Sequence, residues 1–153
     1  MRLEKQSSRW FIRPACWKEL VCKMPVPCVD TIIHRHNQVL LGRRTILPYR
    51  NVWALIGGRM RHGETFPDTS IRNCLESGLT VKQPKYLGIF PVKFPKGRHD
   101  LTICMTAEYA KGGPQPTHEL SKYIWTRKTD LNRIGPIGGN YLKMLKAWQR
   151  KRP

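Results

Sequence analysis

Residues 57–79 read GGRMRHGETFPDTSIRNCLESGL, and this stretch decides how the chain folds. The apolar run WALI at 53–56 ends at the first two glycines, which predicts a strand followed by a tight loop. Pro67 suits the first turn of a helix, because the N–H that proline lacks would be unpaired there anyway. We therefore predict a helix over 67–77, followed by Gly78 in a left-handed cap. Its inner face is expected to carry three residues: Ile71, Cys74 and Leu75.

The same stretch has the residue types of a magnesium site. A helix over 67–77 places Arg72 and Glu76 one turn apart on one face. The carbonyl of Gly58 and the carboxylate of Glu76 are hard oxygen ligands, and substrate phosphates would complete the coordination of Mg²⁺. Arg72 and Glu64 can hold the Glu76 carboxylate in orientation.

Outward from this stretch, apolar runs alternate with turn signals over the whole chain. Helices are predicted at both ends, with strands between them: helices 15–24 and 139–149, and strands 28–34, 39–42, 85–94, 101–110 and 122–126. This order predicts an α/β domain in which a mixed β-sheet is sandwiched between helices. We expect one domain over 1–153, with flexible basic segments at 1–14 and 149–153.

The charge is the outlier in an otherwise ordinary globular composition. The 153 residues include 28 Lys and Arg against 10 Asp and Glu, a formal net charge of +18. Such a field attracts polyanions, so nucleotides and nucleic acid are the expected partners. No apolar run is long enough to span a membrane, so no membrane association is expected. A cytoplasmic location is expected, although the basic segment 1–18 leaves organellar import open.

Residues 58–79 resemble the Nudix box, whose pattern is G-x5-E-x7-R-E-U-x-E-E-x-G-U, with U an aliphatic residue. Gly58, Glu64 and Arg72 fall at the spacing of this pattern, and LESGL at 75–79 closes it. The resemblance implies a Nudix fold and a hydrolase that uses Mg²⁺, with Mn²⁺ as an alternative. It also implies a nucleoside diphosphate-linked substrate. Related enzymes are often dimers, so a homodimer is a further expectation.

The box departs from the family pattern where the metal ligands should be. Asn73 stands where a glutamate is expected, and the segment between Arg72 and Gly78 is one residue short. The double glutamate is thereby reduced to Glu76 alone. A site that holds several Mg²⁺ ions would be poorly supplied, whereas a site for one ion remains open.

The GDP-mannose mannosyl hydrolases are similar in having a depleted box and one magnesium ion. Their opening strands resemble PCVDTIIHRHNQVLLGRRT at 27–45, with Asp30 and Arg44 at matching positions, and Arg59 fits their GGR. In that subgroup the matching residues contact substrate, and water attacks the anomeric carbon of the sugar. The resemblance thus implies substrate contacts from Asp30, Arg44 and Arg59. Guanidinium groups suit phosphate geometry independently of the resemblance.

The segment HELSKYIW at 118–125 resembles the late loop and strand of the same subgroup. By this resemblance Glu119 takes a position on the metal, and His118 serves as general base although it stands before Glu119 instead of after it. Tyr49, Phe90 and Phe94 are alternatives for stacking on a base.

A second interpretation is a Nudix-fold module that has lost catalysis and binds nucleic acid or nucleotides through its basic surface. The missing carboxylates and the charge of +18 both favour it.

Overall fold

A computed structural model describes residues 11–151. Within those residues it contains three α-helices, eight strands and a 3₁₀ helix at Lys128–Asp130. The helices and strands, in chain order, are α1 (Pro14–Lys23), β1 (Val26–Arg35), β2 (Gln38–Arg44), β3 (Trp53–Ala54), β4 (Ile56–Arg59), α2 (Phe66–Glu76), β5 (Leu79–Val81), β6 (Lys85–Lys93), β7 (His99–Gly112), β8 (Leu120–Arg127) and α3 (Gly139–Lys151). Among the described residues no helix has the length and apolarity that crossing a membrane requires. Most of the predicted flexible segment 1–14 and the end of 149–153 lie outside the described residues.

Strand β1 is the centre of a mixed sheet. It runs parallel to β7, with Asp30 paired to Cys104, and antiparallel to β4 and β2 on its other side. Strands β6 and β5 pair with β7, while β8 and β3 pair with β2. Helix α2 packs against β1, β4 and β5, and α3 packs against β6. The predicted α/β architecture, a mixed sheet with helices packed on it, is confirmed.

The predicted strand at 53–56 is two short strands in the structure. β3 pairs with β2 and β4 pairs with β1, so the chain changes partner at Leu55. Strand β5 was not predicted, because three residues are too few to show a period. β1, β2, β7 and β8 each extend beyond the predicted bounds by one to two residues at an end.

Helix α2 begins and ends through local hydrogen bonds that the sequence specifies. The Asp68 N–H donates to Thr65 Oγ1 at 3.3 Å, and the Thr65 N–H donates to Asp68 Oδ2 at 2.9 Å, which is a reciprocal cap of the first turn. Gly78 follows the helix with φ +79°, the left-handed conformation predicted for it.

The inner face of α2 is polar, so the prediction for Ile71 and Leu75 is wrong. Ile71 is 39% exposed and Leu75 is 56% exposed, whereas Ser70 and Asn73 are buried. Ser70 Oγ shares a 2.7 Å hydrogen bond with Thr31 Oγ1 in β1. The helix is therefore held to the sheet through hydrogen bonds as well as through Cys74, the one predicted inner-face residue that is buried.

Candidate functional site

A cavity of about 730 Å³ opens between β1, β4, α2 and the loops that surround them. Eight of the nine residues proposed from the sequence line it: Asp30, Arg44, Gly58, Arg59, Arg72, Glu76, His118 and Glu119. The ninth, Glu64, does not line the cavity and instead contacts Arg72. Of the proposed stacking residues, Tyr49 and Phe94 line the cavity and Phe90 does not.

The glycine pair lets two polar side chains approach the backbone closely. A Cβ added at Gly57 would overlap Asp30 Oδ1 and would lie 2.7 Å from the Val29 carbonyl oxygen. A Cβ added at Gly58 would lie 2.8 Å from Asn73 Oδ1. Both positions therefore exclude larger residues, because the Asp30 carboxylate and the Asn73 amide occupy the space a side chain would need.

Arg72 ties the box loop to helix α2. Its Nη2 donates to Glu64 Oε2 and to the Arg59 carbonyl oxygen, each at 2.9 Å, and its Nε donates to Glu64 Oε1. The Glu64 carboxylate also accepts from the Arg61 N–H at 2.9 Å and the Thr69 hydroxyl at 2.8 Å. Burial alone would raise the pKa of Glu64, but these hydrogen bonds outweigh it and lower the pKa to about 2. Glu64 is thus an ionised anchor for Arg72.

Glu76 reaches the cavity from the last turn of α2. Its Oε1 lies 3.1 Å from Arg61 Nη2 and 3.4 Å from Arg72 Nη1, and half of the side chain is exposed.

Asn73, which stands where the family pattern has a glutamate, makes hydrogen bonds within the fold. Its Nδ2 donates to the Val29 carbonyl at 3.3 Å, and its Oδ1 accepts from Arg72 Nη1 at 3.0 Å. The position after Arg72 therefore attaches the helix to β1.

The donor set limits what metal the cavity can hold. Within residues 11–151 there is no group of three or more His, Cys, Asp or Glu side chains placed to hold a metal ion. Glu76 is the box carboxylate that lines the cavity, and it faces two guanidiniums. These donors fit one Mg²⁺ ion whose remaining ligands are backbone oxygen, substrate phosphate and water, and they do not fit a cluster of ions.

Across the cavity, Arg44 joins three of its walls. Its Nη1 lies 3.5 Å from Glu119 Oε2 and 3.4 Å from the Tyr141 hydroxyl, and its Nε donates to the Pro48 carbonyl at 2.9 Å. Burial raises the pKa of the neighbouring Asp30 to about 7, with Arg44 opposing the rise and the carboxylates of Asp100 and Glu119 adding to it. Asp30 can therefore exchange a proton near neutral pH.

The loop that carries His118 and Glu119 is held by its backbone. The Thr45 hydroxyl donates to the His118 carbonyl at 2.8 Å, and the Thr45 N–H donates to the Glu119 carbonyl at 2.9 Å. Both side chains are exposed at the cavity.

Several residues that line the cavity were not among those proposed from the sequence: Trp17, Arg61, Arg98, Asp100 and Tyr141. Arg98 and Asp100 form a bidentate ion pair, with Nε–Oδ1 at 2.7 Å and Nη2–Oδ2 at 2.9 Å. The charged triplet RHD at 98–100 is a sequence signal for this pair. No such signal marks Trp17, because α1 buries no residue and its apolar spacing therefore does not identify the side chain that reaches the cavity.

Both the sequence and the fold of this chain are similar to those of NUDIX proteins. Residues 24–147 match the NUDIX domain. The chain is 31% identical over 115 residues to the NAD-capped RNA hydrolase NudC of Edwardsiella ictaluri, covering 73% of this chain and 43% of that protein. It is 28% identical over 129 residues to the ADP-ribose pyrophosphatase of Methanocaldococcus jannaschii, covering 82% of this chain and 74% of that protein. The chain spans less than half the length of the NAD-capped RNA hydrolase.

Solved structures share the fold at low identity. The MutT NUDIX hydrolase from Burkholderia pseudomallei superposes with a TM-score of 0.75 at 18% identity, covering 82% of this chain and 98% of that chain. The NUDIX domain of Shewanella oneidensis NrtR, solved in complex with ADP ribose, superposes with a TM-score of 0.72 at 20% identity, covering 99% of both chains.

Proposed function

The chain belongs to the NUDIX domain family, and we propose that it hydrolyses a nucleoside diphosphate linked to a sugar or another group. The proposal rests on a cavity that is lined by several arginines, among them Arg44, Arg59 and Arg61, together with the box carboxylate Glu76. Guanidiniums bind diphosphate oxygens in a planar, bidentate manner. The names of two relatives, for NAD-capped RNA and for ADP-ribose, support a nucleotide derivative as substrate.

We propose that one Mg²⁺ is held by Gly58 and Glu76, with Glu119 as a further donor; Mn²⁺ suits the same oxygens. The ion would supply positive charge that neutralises the departing diphosphate. The remaining work belongs to side chains. Arg72 and Glu64 orient Glu76, and Arg59 contributes a cation that pairs with no carboxylate among residues 11–151.

A more specific proposal concerns which bond of the substrate is hydrolysed. A single metal and several arginines are suited to neutralising a leaving diphosphate, whereas attack at phosphorus is well served by paired metals. We therefore propose water attack at the anomeric carbon of the sugar, as in the GDP-mannose mannosyl hydrolases. Asp30 would contact the sugar or the base from β1, and His118 would accept the proton of the attacking water. A homodimer stays a prediction of the family resemblance.

The bond is identified by hydrolysis in ¹⁸O-labelled water. A panel of GDP-mannose, UDP-glucose, ADP-ribose and NAD is incubated with Mg²⁺, and the products are analysed by mass spectrometry. Label in the sugar supports attack at carbon. Label in phosphate retires that mechanism but retains hydrolysis, while no turnover of any compound refutes hydrolysis of this panel.

The role of His118 is tested separately. His118→Ala should lower kcat by ~10²–10⁴ if the imidazole is the general base. His62→Ala is the matched control, because His62 is also an exposed loop histidine but does not line the cavity. A change under threefold in His118→Ala excludes it as the base.

A second candidate function is a nucleic-acid-binding module without catalysis. Helix α3 supports it, because Lys143, Lys146 and Arg150 are all exposed and lie at i, i+3 and i+7 on one face. Binding through such a face should weaken with salt, with a slope of log K against log[salt] near −0.9 per phosphate contacted on duplex DNA. Tight, salt-sensitive RNA or DNA binding without turnover on the panel would favour this function over hydrolysis.

A further inference from the structure

Helix α1 brings one aromatic side chain to the cavity, although none of the residues of this helix is fully buried. Trp17 is partly buried and lines the cavity. The guanidinium carbon of Arg59 lies 4.6 Å from the centroid of the Trp17 ring, and that of Arg98 lies 5.7 Å from it. Both distances are within cation–π range. α1 precedes residues 24–147, which match the family model.

The two arginines that contact Trp17 differ in whether a carboxylate neutralises their charge. Arg98 is neutralised by its bidentate pair with Asp100, which is 6% exposed. Its guanidinium plane also lies near a second ring, with its carbon 5.6 Å from the centroid of Phe94. Arg59 has no carboxylate within ion-pair distance in the described part of the chain. One end of the cavity thus presents two aromatic rings and a charge-neutral ion pair, next to Arg59, which has no carboxylate partner among the described residues.

We propose that Trp17, Phe94 and Arg98 form the subsite for the base of the nucleotide. Unpaired bases bind proteins by stacking on aromatic rings and on guanidinium planes, and both surfaces are present here. A neutralised guanidinium has little to offer a phosphate but keeps its flat face and its remaining N–H donors. A phosphate held by Arg59 would place the attached nucleoside beside Trp17. The inference rests on the proposed function, since it names the part of that pocket that selects a nucleoside.

An alternative role for Trp17 is to position Arg59 for the diphosphate. The two roles predict different effects on ligands with a base and on ligands without one. A ring that only orients Arg59 would affect every diphosphate equally, whereas a ring that stacks on a base would affect ligands with a base and spare those without one. Binding measurements with non-hydrolysable ligands therefore distinguish them without any turnover.

The experiment compares α,β-methylene-ADP with methylenediphosphonate by isothermal calorimetry in the full chain. We expect Trp17→Ala to weaken binding of α,β-methylene-ADP by ~5- to 100-fold. It should change the affinity for methylenediphosphonate by less than twofold. Trp17→Phe should restore most of the loss, because phenylalanine keeps a stacking face. Because α1 buries no residue, thermal melting of Trp17→Ala should match that of the wild type.

Phe11→Ala is the matched control. Phe11 is an aromatic residue of the same N-terminal segment, is 68% exposed and does not line the cavity, so its removal should leave both affinities unchanged. Equal losses for the two ligands in Trp17→Ala, or no loss for either, would overturn the base subsite. If the base-dependent loss is found and the wild type hydrolyses nothing on the panel, the subsite stands and the proposed hydrolysis fails.

Discussion

Replacing Glu64 by glutamine tests whether the Glu64–Arg72 pair anchors the box loop. The pKa of Glu64 falls from 4.5 to about 2 in the folded protein, although burial by itself would raise it. At 1.36 kcal/mol per pH unit this corresponds to roughly 3 kcal/mol of stabilisation. Since 17% of the Glu64 side chain is exposed, solvent screening reduces the expected value to about 2 kcal/mol.

The pH dependence follows from the direction of this shift. A carboxyl whose pKa is lower in the folded state stabilises the protein above its unfolded pKa, and the stabilisation is lost as the pH falls from about 4.5 towards 2. Glu64→Gln should therefore be less stable than the wild type by about 2 kcal/mol at pH 7, and the difference should shrink below about 1 kcal/mol at pH 2.5.

The assay is urea unfolding followed by far-UV circular dichroism at pH 7, 5, 3.5 and 2.5 with constant chloride. Glu19→Gln is the control, because Glu19 pairs with Lys23 on an exposed surface where both side chains are more than 60% exposed. That variant should differ from the wild type by less than about 0.5 kcal/mol at every pH. A Glu64→Gln difference that stays constant from pH 7 to 2.5 would refute the anchoring role.

Three further changes test the surroundings of the site. Asp30→Asn should stabilise the protein more at pH 8 than at pH 5 in thermal melts. Because burial raises the pKa of Asp30 from 3.8 to about 7, the cost of the aspartate to stability grows as the pH rises from 3.8 to about 7 and is complete above that; a gain independent of pH would contradict this. Gly57→Ala should lower the free energy of unfolding by about 2 kcal/mol or more, because the added methyl overlaps the Asp30 carboxylate. Gly139→Ala is the control and should leave the free energy of unfolding unchanged, because no atom lies within 4 Å of the new Cβ. Arg72→Lys should destabilise the protein by about 1–3 kcal/mol in urea titrations, because an ammonium group cannot bind both Glu64 oxygens and a carbonyl in one plane; wild-type stability would show that the planar fork is unnecessary.

The elements of the fold were largely predictable because their signals are local. β1 (Val26–Arg35) contains the predicted strand 28–34, and α2 (Phe66–Glu76) differs from the predicted helix 67–77 by one residue at each end. Alternating apolar residues and a capping sequence act within a few positions of one another, so they can be recognised in the sequence alone.

The side chains that face inward from α2 were not predictable in the same way. Periodicity counts apolar residues, and it favoured Ile71 and Leu75, which are exposed. The helix instead turns Ser70 and Asn73 towards β1, where Thr31 and the Val29 carbonyl supply hydrogen-bond partners. Those partners are about forty positions earlier in the chain, so no local pattern reveals them.

The contacts within the cavity were likewise predictable only in part. Spacing within the box brings Arg72 and Glu76 together, but the pair between Arg61 and Glu76 depends on how the loop folds over α2. Trp17 reaches the cavity from an element outside the box, and only the arrangement of α1 beside β4 brings it to Arg59. Charge pairs and ring contacts of this kind depend on tertiary structure.

The most direct test of the enzymatic role is the turnover of GDP-mannose and ADP-ribose with Mg²⁺ by the wild type and by Glu76→Gln. Glu108→Gln is the control, since Glu108 lies on β7 outside the cavity. We predict that the wild type turns over at least one of the two compounds, that Glu76→Gln lowers kcat by ~100-fold or more, and that Glu108→Gln changes it little. Turnover that is unaffected in Glu76→Gln, or a wild type inactive on both compounds, would contradict a magnesium-assisted hydrolase built on this glutamate.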